Sequence, residues 1–370
     1  LALKKLFQHK NLIQEKTINN YQQEFRKISL ELNELHTHKE WADFYLKMVY
    51  WEMELEGLED LGMLEIFQNQ MKEANRFFAK FISQNYCSWI QDKSGPVLSN
   101  QILKKKLFPK IKTGDKKTTL MLVVDNLRYD QWKMILPVVQ DYYQIEEEQP
   151  YFSILPTATH YARNAIFSGL MPSEMEKFHP DLWVNEKDRG GKNLNEKSFL
   201  MSQLKRNNLD LKFNYSKITN LKAGRDLVAQ IQNYQKEGLF VVVYNFVDMI
   251  SHAKTDMEII KELASDNKAF RSLTLSWFKN SPLLEIIQKA CELGFKLVIT
   301  TDHGTINVDQ AIEVIGTRET NTNLRYKTGQ SMSFKSKEVL EIKEPSKLKL
   351  PSANLNSKYI FAKEQGYFVY

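Results

Sequence analysis

Over roughly the first hundred residues, apolar positions recur at alternating spacings of three and four. Ile18, Tyr21, Phe25, Ile28, Leu32 and Leu35 form one stripe, and Trp41, Phe44, Met48, Trp51 and Leu55 a second. Leu64, Phe67, Met71, Ala74, Phe78 and Phe81 form a third. This spacing puts each set on one face of a helix. Gly57 and Gly62 punctuate the second and third segments, so the pattern predicts three amphipathic helices in an antiparallel bundle. The aromatic residues are expected to fill its core. No titratable residue falls on the stripes, so no chemistry is expected from this region.

Regularity breaks at Gly95-Pro96, and Lys104, Lys105, Lys106, Lys110, Lys112, Lys116 and Lys117 follow. With few aromatics interleaved for base stacking, this stretch reads as a solvated linker holding a short helix. From Thr118 the period changes. Leu120 to Val124 and Leu239 to Phe246 are nearly continuous apolar runs, as in parallel strands covered on both faces. Leu297 to Thr301 is apolar or β-branched and predicts another buried strand. Tyr151 to Leu155 reads as a strand, and short strands are expected near Val339–Ile342 and Tyr359–Ala362. Residues 172–235 read as an insertion or lid. Pro282 to Leu293 supplies a crossover helix closed by Gly294, which completes a β-α-β unit.

Candidate chemistry collects where these strands end. Asp125 follows the first core run, Asp248 and His252 follow the second, and Asp302-His303-Gly304 follows the third. Open α/β sheets bind ligands outside the carboxyl ends of their strands. A carboxylate beside an imidazole suits zinc or manganese, and Asp-x-x-x-His brings both side chains to one face of a helical turn. Thr159 stands at the start of a helix-like stretch, where amides and the helix dipole favour a phosphoryl group. Each feature also has a plain structural alternative. Asp125, Thr157 or Thr159 is then a helix cap, Asp302 caps a turn, and His252 is a cap or core residue. Taken together, Asp125, Thr159, Asp302 and His303 suit one ion and Asp248 with His252 another, the pair clamping an in-line displacement at a phosphate ester.

Composition narrows the field. The 370 residues are 42% hydrophobic and 26% charged, which is ordinary for a soluble globular protein. No apolar run approaches the roughly 20 residues that span a bilayer, and no secretory signal is visible. Cys87 and Cys291 form no metal or redox motif, so a reducing cytoplasm is expected. The net charge of +6 favours anionic partners without requiring nucleic acid. The chain opens on Leu1 and stops on the strand-like run Gly366 to Tyr370, as a piece of something longer would.

The motifs Asp125-Asn126-Leu127-Arg128-Tyr129-Asp130, Pro156-Thr157-Ala158-Thr159 with Tyr161-Ala162-Arg163-Asn164, Tyr244-Asn245-Phe246-Val247-Asp248 and Thr301-Asp302-His303-Gly304 resemble the alkaline phosphatase superfamily. Within it they are similar to the PglZ domain of PorX-type response regulators, and the preceding bundle looks like that family's middle domain. The resemblance implies residues 1–108 as bundle and linker, and 109–370 as an alkaline-phosphatase-like α/β domain with a mostly parallel central sheet. It also implies a zinc-dependent phosphodiesterase or phosphatase with a threonine nucleophile, Thr159, and two zinc ions in the complete domain. Nucleotide-type esters are the expected substrates, with Asn126, Arg163, Arg325 and Lys327 as substrate-binding candidates. A histidine kinase, secretion or transcription partners, type IX secretion and a homodimer come with the same resemblance. Two departures stand out. The family's receiver domain is absent, and no histidine follows His303 to complete the site of Asp248 and His252, leaving His160 or His179 as substitutes. The rival readings are a metal-stabilised signalling scaffold and a phosphomutase.

Overall fold

The run from Leu120 to Val124 has no polar side chain, and such a strand is stable only when both its faces are covered. The computed structural model describes residues 2–58, 61–92, 95–111, 117–245, 247–250, 257–258, 262, 264, 266–316, 320–321, 323–352 and 356–369. In it the run forms β1 (Thr119–Val124), buried throughout. Beside it lie β2 (Phe213–Ile218), β3 (Leu239–Tyr244) and β4 (Lys296–Thr300), in the order β2-β3-β1-β4 and all parallel. Val124 is level with Tyr244, and Val123 with Thr300, so the next residues of these three strands emerge at one rim.

Alternation along the strands divides the core into two layers. Leu120, Leu122, Phe240 and Val242 pack with Ile135, Leu227, Ile286 and Ile287 of the covering helices. Met121, Val123, Val241 and Val243 face the other way, against Tyr161, Ala165, Phe167 and Phe199. Beyond β4, short β segments at Tyr326–Gly329, Val339–Ile342 and Lys358–Ala362 pair antiparallel, and Gly366–Val369 pairs parallel with Gln310–Glu313.

The three apolar stripes become α1 (Ala2–Glu31), α2 (His38–Glu56) and α3 (Leu61–Asp92). Tyr21 joins all three, with ring centroids 5.4 Å from Trp51 and 5.9 Å from Phe67. Gly62 lies inside α3 rather than between helices. The bundle meets the α/β domain through Arg271 of the helix Asn267–Lys279, which pairs with Asp130 (2.7 Å) and with Glu56 of α2. A cleft of about 1900 Å³, lined by Trp41, Phe78, Phe152, Val298 and Thr301 among others, lies between the bundle and the side of β4 away from β1.

Four sequence expectations change. Residues 172–235 do not form a separate lid, because they contribute β2 to the central sheet. Its alternating Phe213-Asn214-Tyr215-Ser216-Lys217-Ile218 suits an edge strand, half-buried along most of its length. Tyr151 to Leu155 joins no strand ladder beyond one isolated bridge between Phe152 and Leu98. In the Lys-rich stretch, Leu103–Leu107 forms a turn of π-helix, and Lys106 and Lys110 pair with Glu147 at 3.2 and 2.5 Å. Residues 112–116 lie outside the described set. The strand at Lys296–Thr300 is an edge strand with partly exposed side chains, not a fully buried one.

Candidate metal centre

β1 delivers Asp125 to the rim, where its N–H donates to Tyr244 O of β3 (2.9 Å). The chain then reverses at Asn126, whose φ of 62° is the left-handed conformation that asparagine tolerates better than most residues. That reversal points the Asn126 N–H at Asp302 Oδ1 (3.2 Å) and the Leu127 N–H at Thr301 Oγ1 (3.0 Å). Asp302 Oδ1 also accepts from the His303 N–H (3.0 Å), and Thr301 Oγ1 donates to His303 O (2.8 Å). The loops leaving β1 and β4 therefore brace one another. Helix α4 (Tyr129–Gln140) takes Arg128 as its N-cap residue, so Asp125 does not serve as its cap.

Thr159 opens helix α5 (Thr159–Ser168), but Ala158 occupies the cap position and no side-chain cap bond forms there. The threonine hydroxyl is spent elsewhere. It lies 2.7 Å from His303 Nε2, while His303 Nδ1 lies 3.2 Å from Gly304 O. A proton on Nδ1, held by that carbonyl, leaves the lone pair of Nε2 facing the site. Asp125 Oδ1 and Asp302 Oδ2 each lie 3.7 Å from the same Nε2.

These two carboxylate oxygens are buried and make no hydrogen bond. A buried polar atom left unsatisfied costs about 1–3 kcal/mol. A divalent cation would supply the missing partner, and two carboxylates, an imidazole and a hydroxyl suit zinc or manganese. Ligand atoms of Asp125, Asp302 and His303 all lie within 4.8 Å of one another, forming the metal-type cluster found among the described residues. Burial first, and then the neighbouring Asp302 charge, push the Asp125 carboxyl up to about 6, while Arg163 and His303 pull it down.

Arg163 lies one turn along α5 from Thr159 and is 2% exposed. Its Nη1 is 2.5 Å from Asp125 Oδ2 and 3.6 Å from Asp302 Oδ2, and its Nε donates to Glu196 Oε1 at 2.6 Å. Glu196 in turn meets Tyr215 Oη and Lys217 Nζ, the latter at 3.2 Å. Expected as a substrate ligand, Arg163 instead clamps the helix of Thr159 to the carboxylate of Asp125. Asn126, 2% exposed, shapes the ligand loop through its backbone. Lys327 is 1% exposed and donates to Asn321 O (2.9 Å), and Arg325 donates to Gly366 O (2.5 Å). Both sit in the C-terminal β region with backbone partners, which is not the geometry expected of phosphate ligands.

Asp248 lies beyond β3 in a described helical turn, but His252 falls outside the described residues. Neither substitute for a late histidine belongs to the cluster of Asp125, Asp302 and His303. His160 stacks on Trp183 at 4.6 Å with Glu186 3.6 Å from its Nδ1, and His179 faces Ser202 Oγ at 3.1 Å. Lys192 of the Gly190-Gly191-Lys192 turn donates to the carbonyls of Asn185 and Asp188. Asn193, of the polar turn Gly190 to Asn193, donates from Nδ2 to Thr159 O (3.0 Å), and Glu196, Tyr215 and Lys217 were not apparent from the sequence. Their spacing carries no local signal, and only the fold brings them to α5.

A family model described as the BREX system PglZ alkaline phosphatase-like domain matches residues 102–370. A model of the PorX response regulator linker domain matches residues 11–90. Among solved structures the chain is similar to murine ectonucleotide pyrophosphatase/phosphodiesterase 5, an inactive variant in complex with AMP. That similarity has a TM-score of 0.43 at 10% identity and covers 69% of this chain and 80% of the other. None of the curated proteins matches. Among the described residues, no helix is long and apolar enough to cross a membrane.

Proposed function

The chain belongs to the PglZ family of alkaline phosphatase-like domains, whose model spans residues 102–370, and from that premise we propose that it hydrolyses phosphate esters through Thr159 at a zinc centre of Asp125, Asp302 and His303. The family membership gives a phosphoesterase-like domain. The finer reading is carried by one observation: a threonine hydroxyl 2.7 Å from His303 Nε2 faces two buried carboxylate oxygens that lack hydrogen-bond partners. A divalent cation bound there would lower the pKa of the hydroxyl and polarise a phosphoryl oxygen.

The residues themselves do the rest. Arg163 and the Asp302 loop hold the hydroxyl and carboxylates at fixed spacing before substrate arrives. At the start of α5, the amides of Thr159 and His160 have no intrahelical acceptor and favour the negative charge of a phosphoryl group. Thr159 Oγ1 bonds to phosphorus as the ester P–O bond breaks, which releases an alcohol and leaves a phosphothreonine. Water then cleaves that bond and restores the hydroxyl. Asp248 and His252 remain the proposed ligands of a second zinc at the leaving oxygen.

The PorX linker match over residues 11–90 supports reading the bundle as the link to a response-regulator input. With it comes the wider proposal of a cytoplasmic homodimer under a histidine kinase, acting in type IX secretion through secretion or transcription partners, on nucleotide-type esters. The second reading is a signalling scaffold that keeps the metal for stability and acts through protein partners.

The test is turnover of a chromogenic phosphodiester by parent and Thr159→Ala at equal zinc occupancy. We expect a loss of at least about 10³-fold with an unchanged fold. Equal turnover by the variant removes the nucleophile assignment. Zinc binding without hydrolysis by the parent installs the scaffold, and phosphate moved between positions of a sugar phosphate with none released installs a mutase.

A further inference from the structure

Two hydroxyls reach the loop leaving β4 from an extended segment outside the central sheet. Tyr151 Oη donates to Thr301 O (2.5 Å) and Asp302 O (3.2 Å), and Ser153 Oγ donates to Asp302 O (2.9 Å). Residues 151 and 153 share one side of an extended stretch, and Phe152 takes the other. The Phe152 ring packs in the bundle, 5.5 Å from Trp89 and 6.2 Å from Phe78, and its N–H donates to Val97 O (3.0 Å). The Leu155 N–H donates to Tyr86 Oη of α3 (2.8 Å), and the Ile154 N–H to Ser99 Oγ (3.0 Å). Tyr151, Phe152, Ser153 and Leu155 all border the cleft between the bundle and β4, so the segment spans the gap between them. Thr159 follows it a few residues later. Its failure to join a sheet thus has a physical reason, since its polar groups are committed to two different bodies.

We infer that Tyr151 and Ser153 are positioning residues for the metal ligand Asp302, and that through them the docking of the helical bundle sets the metal affinity of the centre. This rests on the metal-centre reading above. The Asp302 side chain is fixed at Oδ1 by two backbone amides, and its backbone carbonyl by these two hydroxyls. Only Oδ2 is left to aim at a cation. Loosening the carbonyl lets the whole residue rotate, and partners one step behind a ligand commonly change metal affinity by about 10- to 100-fold. Burial, and next the Asp302 charge, hold the Tyr151 phenol far above its ordinary range, so it stays a donor at every accessible pH. Tyr86, whose phenol burial likewise raises, supplies the bundle's end of the connection.

The experiment is a zinc Kd by chelator competition, with the visible spectrum of the cobalt-substituted protein as a second readout. Ser153→Ala and Tyr151→Phe should each weaken zinc about tenfold and alter the cobalt bands, and Tyr86→Phe about threefold. Ser153→Thr keeps the donor and should restore parent affinity. Phe67→Leu in the bundle core lowers thermal stability without removing a hydrogen bond of the segment, and should leave both readouts unchanged. A Kd within twofold of the parent for the Ser153→Ala, Tyr151→Phe double variant overturns the inference. So does a loss in Phe67→Leu equal to that in Ser153→Ala, because general loosening would then explain it. A parent that binds no zinc overturns the zinc centre itself, and this inference with it.

Discussion

The bundle and the rim of the central sheet bury polar groups in opposite ways. In the bundle, Gln70 is 4% exposed, yet it accepts from Tyr21 Oη at 3.0 Å and donates to Phe25 O and Ser29 Oγ. At the rim, Asp125 and Asp302 are 1% and 0% exposed, and each keeps one oxygen without a donor. Burial stabilises the first region and costs energy in the second until a cation is supplied. Part of that charge is built in as Arg163, and the geometry of Thr159 and His303 leaves room for the remainder to be a metal. Two unpaired carboxylate oxygens that both face one imidazole set the rim apart from single unpaired atoms such as Trp41 Nε1 in the bundle.

The comparison breaks first if bundle stability and metal binding move together under a core substitution. Phe67→Ala removes a ring that is 2% exposed and packed 5.9 Å from Tyr21. The expected cost is about 3–5 kcal/mol of unfolding free energy, read by denaturant titration. Zinc affinity of the folded fraction should hold within twofold, because the Phe67 ring packs on Tyr21 and makes none of the hydrogen bonds that hold the segment 151–155. A parallel tenfold loss of zinc affinity would mean that bundle and rim are one cooperative site.

Arg163→Met sharpens the rim side. Breaking a buried ion pair from one partner costs about 3 kcal/mol, because Asp125 and Glu196 then lose their shared cation. As a clamp, Arg163 should lower kcat with KM nearly unchanged, since its loss misplaces Thr159 without touching substrate. A rise in KM at constant kcat would instead restore it as a substrate ligand. Expressing a double variant, Arg163→Met with Glu196→Leu, guards against a single variant that fails to fold.

Arg163 also shows where reading from sequence runs out. A cation one turn after a candidate nucleophile looks like a phosphate ligand, and nothing local names its partners, because Glu196 lies 33 residues further on. The apolar runs of β1 and β3 were legible because central parallel strands have no polar face to confuse the pattern. β2 was not, since an edge strand with Asn214, Ser216 and Lys217 reads as a loop. Tyr151 to Leu155 had the β-branched and aromatic look of a strand but no neighbour to pair with. Propensity describes a segment, whereas pairing belongs to the whole fold. The convergence of Asp125, Asp302 and His303 was visible because each follows a strand whose end the sheet must place at one rim.

The smallest effect is a matter of pH, and it tests whether the rim is as uncomfortable as its geometry implies. The Asp125 carboxyl titrates at about 6 in the folded chain against an ordinary value of 3.8. Between those values the folded state holds a proton that the unfolded state has released. Ionising Asp125 therefore removes stability as pH rises from 3.8 to about 6, and removes no more above that. Asp125→Asn has no such ionisation. In chelator, the stability of the variant relative to the parent should rise across this window by at most about 3 kcal/mol, then level off. Saturating zinc should reverse the trend in the parent alone, since a bound cation favours the ionised carboxylate. A difference that stays flat from pH 4 to 6.5 in chelator would show Arg163 already neutralising the pair, and the rim would then be as settled as the bundle without any metal.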